Sequence, residues 1–148
     1  MRRRGRIALP QNPSSWGGGS IGRDDSIGGV GVDLVDNERM ASTLKRSRGF
    51  AEQVFTARER RERIGRRDVG RHLAGCFAAK EAFLKAVGVG LWQHIPLQQI
   101  EMVRGSSGHP ELRLGAMAKK ALRHKGCGSA MLSLTRERKI TVAIVMIQ

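Results

Sequence analysis

The sequence predicts an α+β fold in which a mainly antiparallel sheet packs on one long helix. Three observations carry that prediction. Helical and strand-like segments do not alternate regularly, which argues against a doubly wound sheet. The stretch from about Arg71 to Val87 is long and patterned enough to be the principal helix, and Gly88 stops it. The last two strand-like segments flank the short charged turn Arg136–Lys139, which makes an antiparallel hairpin. The 148 residues suffice for one domain with a real core but not comfortably for two.

Each element follows in chain order. Residues 1–25 hold arginine, proline, serine and three consecutive glycines, the composition of a disordered basic extension, so the folded domain is assigned to residues 26–148. Ile27–Val35, IGGVGVDLV, is aliphatic and partly β-branched, as a buried strand is. Asn37 can cap a helix reaching about Ser47, with Met40 and Leu44 on one face. Thr56–Glu59, TARE, is a capping-box pattern that opens a short helix. After the long helix, Leu97–Arg104 alternates as a strand, Gly105–Pro110 makes a turn, and Glu111–Leu114 is a short strand. Gly115–Gly126 forms a helix, and the hairpin of Ser129–Thr135 and Ile140–Ile147 closes the chain.

Composition narrows the function. Hydrophobic residues make up 40% and charged residues 27%, as in a globular protein. The formal net charge is +14; the N-terminal extension carries five arginines and two aspartates, +3, so +14 less +3 leaves +11 on the remainder. Such an excess implies an acidic partner. Arg58–Arg71 holds seven arginines against three acids, which suits a solvated helix face, a docking surface for an acidic protein, or contact with nucleic acid. No aromatic residues interleave with these cations and the chain has no tyrosine, which disfavours reading of bases. No apolar run approaches membrane-spanning length, and the N terminus lacks a signal-peptide core. Cys76 and Cys127 have no metal-ligand spacing and read as free buried thiols, consistent with a cytoplasmic protein. The four histidines are scattered without zinc spacing.

The candidate site lies in FAAKEAFLKAVGVG, Phe77–Gly90. On a helical wheel Phe77, Leu84, Cys76, Phe83 and Val87 form an apolar arc, with Lys80 inside it, Glu81 at its edge and Lys85 just beyond. As plain helix chemistry, Glu81–Lys85 is an i,i+4 pair worth about 0.2–0.5 kcal/mol and Lys80 snorkels. Asp33 changes the balance: a carboxylate within the apolar strand GVDLV is costly without a cation or donors, unless it sits at a strand end. A strand-borne Asp33 and a helix-borne Glu81 are what a hard divalent ion needs, with water and phosphate oxygens completing its shell. Lys85 beside them suits a phosphate clamp, and the chemistry suggested is phosphoryl-type transfer or hydrolysis on a pyrophosphate.

GVDLVDNERM, FTARE, RHLAGCFAAKEAFLKAVGVG, GHPELRL and LSLTRERKITVAIV, in this order across residues 27–147, resemble the holo-acyl-carrier-protein synthase type of 4′-phosphopantetheinyl transferase. The resemblance implies transfer of 4′-phosphopantetheine from coenzyme A to a serine of apo-acyl carrier protein, with release of adenosine 3′,5′-bisphosphate, in lipid biosynthesis. It also implies Mg²⁺, a small α+β fold and a homotrimer with sites between subunits. Asp33 and Glu81 match the metal ligands, and Glu81 also lies where a base would take the serine proton, directly or through water. Lys85 matches the pyrophosphate lysine, which is also placed to protonate the leaving group. Gly88 and Gly90 match glycines that let backbone approach the nucleotide. Arg39 matches a basic residue facing the carrier protein.

The chain departs from the family pattern on its fourth strand, where a histidine near the nucleotide 3′-phosphate is expected. Here the motif reads Ser133-Leu134-Thr135-Arg136. Ser133 and Thr135 either offer hydroxyls to ligand phosphates or simply tolerate a half-buried sheet. Arg136 either contacts that phosphate bidentately or belongs to the solvated turn, which weakens coenzyme A binding. Val89 replaces the usual threonine between the two glycines. A basic nucleic-acid-binding module is the alternative from another class, and it leaves Asp33, Glu81 and Lys85 without a task. A carrier-protein-binding member with weakened catalysis is the third.

Overall fold

The computed structural model describes residues 26–62, 69–89 and 95–148. The expected basic extension over residues 1–25, Gly90, Trp92, His94 and part of the arginine-rich run lie outside the described residues. Strand β1 (Gly29–Asp36) leads into helices α1 (Asn37–Arg46), α2 (Arg48–Val54) and α3 (Ala57–Glu62). The long helix α4 (Val69–Ala86) follows. A 3₁₀ turn at Leu97–Gln99 precedes β2 (Ile100–Arg104) and β3 (Pro110–Leu114), then α5 (Ala116–His124), β4 (Ala130–Arg136) and β5 (Ile140–Ile147). All strand pairings are antiparallel: β1-β5-β4 form one sheet, and β2-β3 a two-stranded ribbon. The α+β prediction, with its antiparallel sheet on a long helix, holds.

Helix α4 is the hub. It is buried on nearly every side, from Leu73 through Ala78 and Ala82 to Leu84, so the expectation of a one-sided amphipathic helix is corrected. Its small residues explain why. Ala and Gly at 74, 75, 78, 79, 82 and 86 let the three-stranded sheet lie close, and β1 comes closest. A Cβ on Gly31 would stand 2.0 Å from the Ala82 carbonyl oxygen and 2.5 Å from the Ala86 nitrogen, so only glycine permits this approach. At the far end Gly88, with φ +71°, takes the left-handed conformation, and the Val89 N–H reaches back to the Leu84 carbonyl at 2.9 Å. That closure ends the helix where the sequence predicts.

Strand alternation sorts the sheet into two faces. Gly31, Asp33 and Val35 of β1 register with Val145, Ala143 and Thr141 of β5, which in turn register with Leu132, Leu134 and Arg136 of β4; this face looks onto α4. The opposite face carries Val30, Val32, Leu34, Met131 and Ile144, each more than 40% exposed. No helix among the described residues is long and apolar enough to cross a membrane.

Several local expectations are revised. Asp36, not Asn37, caps α1, accepting from the Arg39 N–H at 2.9 Å. Asn37 is buried and accepts from the Thr141 hydroxyl at 2.7 Å. The helix expected to run to Ser47 stops at Arg46, and Ser47 starts α2, which the sequence did not reveal. Leu97–Gln99 is 3₁₀ rather than strand. The capping box at Thr56 forms as expected: Thr56 N–H donates to Glu59 Oε2 at 2.9 Å and Glu59 N–H to Thr56 Oγ1 at 3.2 Å. Lys80 does not snorkel. It is fully buried, pairs with Glu59 at 2.9 Å, and donates to the carbonyls of Leu97, at 2.9 Å, and Ile100. Glu59 also accepts from the Met102 N–H at 2.9 Å, so one buried ion pair ties α3, α4 and β2 together.

Candidate active site

The close contact of β1 with α4 brings three predicted residues together. Asp33 sits on the strand face that meets the helix, and Lys85 reaches it from the last turn of α4. The Lys85 ammonium donates to Asp33 Oδ1 at 2.8 Å and to the Val32 carbonyl at 2.9 Å. Asp33 is largely covered, with a side chain 15% exposed, whereas that of Lys85 is 52% exposed. One helical turn back, Glu81 is buried and its Oε1 has no hydrogen-bond partner. Burial, reinforced by the Asp33 charge and opposed by Lys85, pushes the Glu81 carboxyl up to about 7. All three line a cleft of about 520 Å³ that also exposes Arg39, Asp36, Thr43 and the rings of Phe50 and Phe77.

An orphaned buried carboxylate oxygen beside a second carboxylate is a site that lacks cationic charge. Among the described residues no group of three or more His, Cys, Asp or Glu is placed to hold a metal ion. Asp33 and Glu81 alone fit a hard ion that takes its remaining ligands from water and phosphate oxygens, as Mg²⁺ does.

Arg39 lines the same cleft, Gly90 lies outside the described residues, and the remaining predicted residues lie elsewhere in the chain. Arg136 is on the α4 side of the sheet, with its guanidinium nitrogen 2.6 Å from where a Cβ on Gly75 would stand. It lines a second cleft, of about 350 Å³, with Thr135, Glu62, His72 and Arg104. Ser133 and Thr135 have the opposite parity to Arg136 and are exposed. Gly88 ends α4 next to Lys125, whose ammonium comes within 3.3 Å of a would-be Cβ there. Asp36, Thr43, His72 and Arg104 were not singled out from sequence. Asp36, at the strand's end three residues past Asp33, offered the only visible hint.

A family model described as the 4′-phosphopantetheinyl transferase superfamily matches residues 29–143. The chain belongs to this superfamily. The transferase is similar to the holo-[acyl-carrier-protein] synthase of Geobacillus kaustophilus, with 39% identity over 82% of this chain and 89% of the relative. Among solved structures, it resembles the holo-[acyl-carrier-protein] synthase of Neisseria meningitidis at TM-score 0.75 and 31% identity, covering 83% of this chain and 99% of the other. The Bacillus anthracis synthase in complex with coenzyme A (3′,5′-ADP) matches at TM-score 0.68 and 28% identity, over 82% of this chain and 96% of that one. The match runs from the start of β1 to the middle of β5 and includes Asp33, Glu81 and Lys85.

Proposed function

We infer that this chain transfers 4′-phosphopantetheine from coenzyme A to a serine of apo-acyl carrier protein, and that residues 26–148 are the transferase domain. The observation that carries the reading is the Asp33–Glu81–Lys85 cluster in one cleft, with Glu81 Oε1 buried and unsatisfied. In this reaction the serine oxygen attacks the phosphorus that bears the pantetheine arm. The bond from that phosphorus to the bridging oxygen breaks, and adenosine 3′,5′-bisphosphate leaves with the electron pair.

The residues divide the work by their chemistry. Asp33 and Glu81 would hold Mg²⁺, which would neutralise charge on the pyrophosphate. Glu81 lines the cleft beside Asp33 and accepts the serine proton, directly or through a water molecule. Lys85 donates to the phosphates and supplies a proton to the leaving oxygen. Gly88 and Gly90 let the protein backbone approach the nucleotide, and Arg39, which lines the cleft, meets the acidic carrier protein. Ser133, Thr135 and Arg136 serve the nucleotide from a neighbouring copy. This assignment is supported by their separation from the Asp33 cleft within one subunit and by the exposed apolar sheet face, which suits a homotrimer with sites between subunits. The free thiols of Cys76 and Cys127 suit a cytoplasmic setting, and the carrier-protein substrate suits a role in fatty acid biosynthesis, with a polyketide carrier as the alternative.

The test is intact-protein mass spectrometry of apo-acyl carrier protein incubated with coenzyme A, Mg²⁺ and the enzyme. The expected result is addition of one phosphopantetheine group, abolished by Asp33→Ala and reduced at least about a hundredfold by Glu81→Gln. An unmodified carrier protein, under conditions where a known synthase modifies it, sinks the reading.

A further inference from the structure

We propose that Lys85 stands in for the metal's charge in the metal-free protein, and that cation binding at Asp33 and Glu81 expels its ammonium from Asp33 and makes it available to phosphate. The inference rests on the function proposed above and concerns the order in which that site is loaded.

Asp33 needs a cation because it is largely covered, and in the free protein Lys85 is that cation, at 2.8 Å. The same ammonium donates to the Val32 carbonyl, so two of its three N–H bonds are committed inside the cleft. A lysine held in this way is a poor phosphate clamp, since one donor remains. Glu81, one turn away on the same helix, keeps Oε1 buried and unpaired, so Lys85 satisfies one carboxylate and leaves the other wanting. A divalent ion satisfies both. An ion held by Asp33 and Glu81 would bring its charge close to the ammonium, in a partly desolvated cleft where like charges repel strongly. The Val32 carbonyl alone does not retain Lys85 against that repulsion. The side chain is half exposed with a flexible four-carbon stem, so it turns outward without disturbing the fold.

Metal and phosphate ligand therefore bind with positive coupling, each raising the affinity of the other. Lys85, once released from Asp33, would meet the pyrophosphate.

The probe is Mg²⁺ alone, added to protein carrying ¹⁵N-labelled lysine. The Lys85 ammonium resonance is followed by NMR, assigned by its absence in Lys85→Met, and Mg²⁺ affinity is measured by calorimetry without coenzyme A. The resonance is expected to shift or vanish with the midpoint of the calorimetric isotherm, while that of buried Lys80 stays. Removing the competitor in Lys85→Met is expected to tighten Mg²⁺ binding about two- to fivefold, the scale of a half-exposed ion pair. The proposal is overturned if Mg²⁺ binds while the Lys85 resonance stays in place, if Lys85→Met binds Mg²⁺ no more tightly, or if neither protein binds Mg²⁺ without coenzyme A. Should Lys85→Met fail to fold, the wild-type titration decides, with assignment from Lys85→Arg. The carrier-protein mass shift is read separately, so failure of the exchange and failure of the transferase reading are told apart.

Discussion

Burial and the neighbouring Asp33 hold Glu81 up to about 7, whereas a free glutamate titrates near 4.5. Between these values the folded, metal-free protein binds more protons than the unfolded chain, so its stability falls as pH rises through that window and levels off above it. Glu81→Gln removes the penalty. In urea unfolding without metal, the variant is expected to gain on the order of 2 kcal/mol over wild type between pH 4 and pH 8. Parallel pH profiles for the two proteins would contradict this. Lys80 presents the reverse case. Its removal in Lys80→Met strands the Glu59 carboxylate, since both side chains are fully buried, and should cost about 3–5 kcal/mol. A urea midpoint close to wild type would show that Glu59 finds another partner. The half-exposed Lys85–Asp33 pair contributes far less, about 0–1 kcal/mol, so the two lysines of one helix separate into a structural and a functional one.

At the scale of elements, β1 and α4 make the site because one glycine lets them touch. Gly31→Ala forces a Cβ onto the backbone of Ala82 and Ala86, neither of which can rotate away, and is expected to destabilise by about 3 kcal/mol or more, with loss of cleft geometry. Thermal melting checks it, and an unchanged midpoint would refute the close approach. The strands, α4 and its Gly88 stop were legible because period and breaker agree there, and the Thr56 capping box was legible because its two partners are three residues apart. Helix α2 was missed because Ser47 both ends one helix and caps the next, with no glycine or proline between them. The partner of Lys80 lies in another helix, so local pattern gave Lys80 a surface role. In the site, Asp33, Glu81 and Lys85 were legible because an acid in an apolar strand and charges at a helix edge are costly without a purpose. How far Arg136 stands from them depends on the width of the sheet, which no local pattern encodes.

At the scale of the whole molecule, the face of the β1-β5-β4 sheet turned away from α4 is the surface on which the proposed trimer is tested. Val30, Val32, Leu34, Met131 and Ile144 expose their side chains on one surface, more than a stable monomer ordinarily leaves wet. Ile144→Lys introduces a charge at the middle strand, β5, of that sheet. Light scattering after gel filtration is expected to find a trimer for the wild type and a monomer for the variant, with coenzyme A affinity falling at least about tenfold as Arg136 of one copy leaves the Asp33 cleft of another. A trimeric variant, or a monomer that binds coenzyme A normally, would exclude sites shared between copies.

That apolar surface also makes dilution a variable of the assay. If copies must meet before a complete cleft exists, turnover per chain falls as the protein is thinned below the dissociation constant of the assembly, and recovery after concentration shows a lag set by reassembly rather than by chemistry.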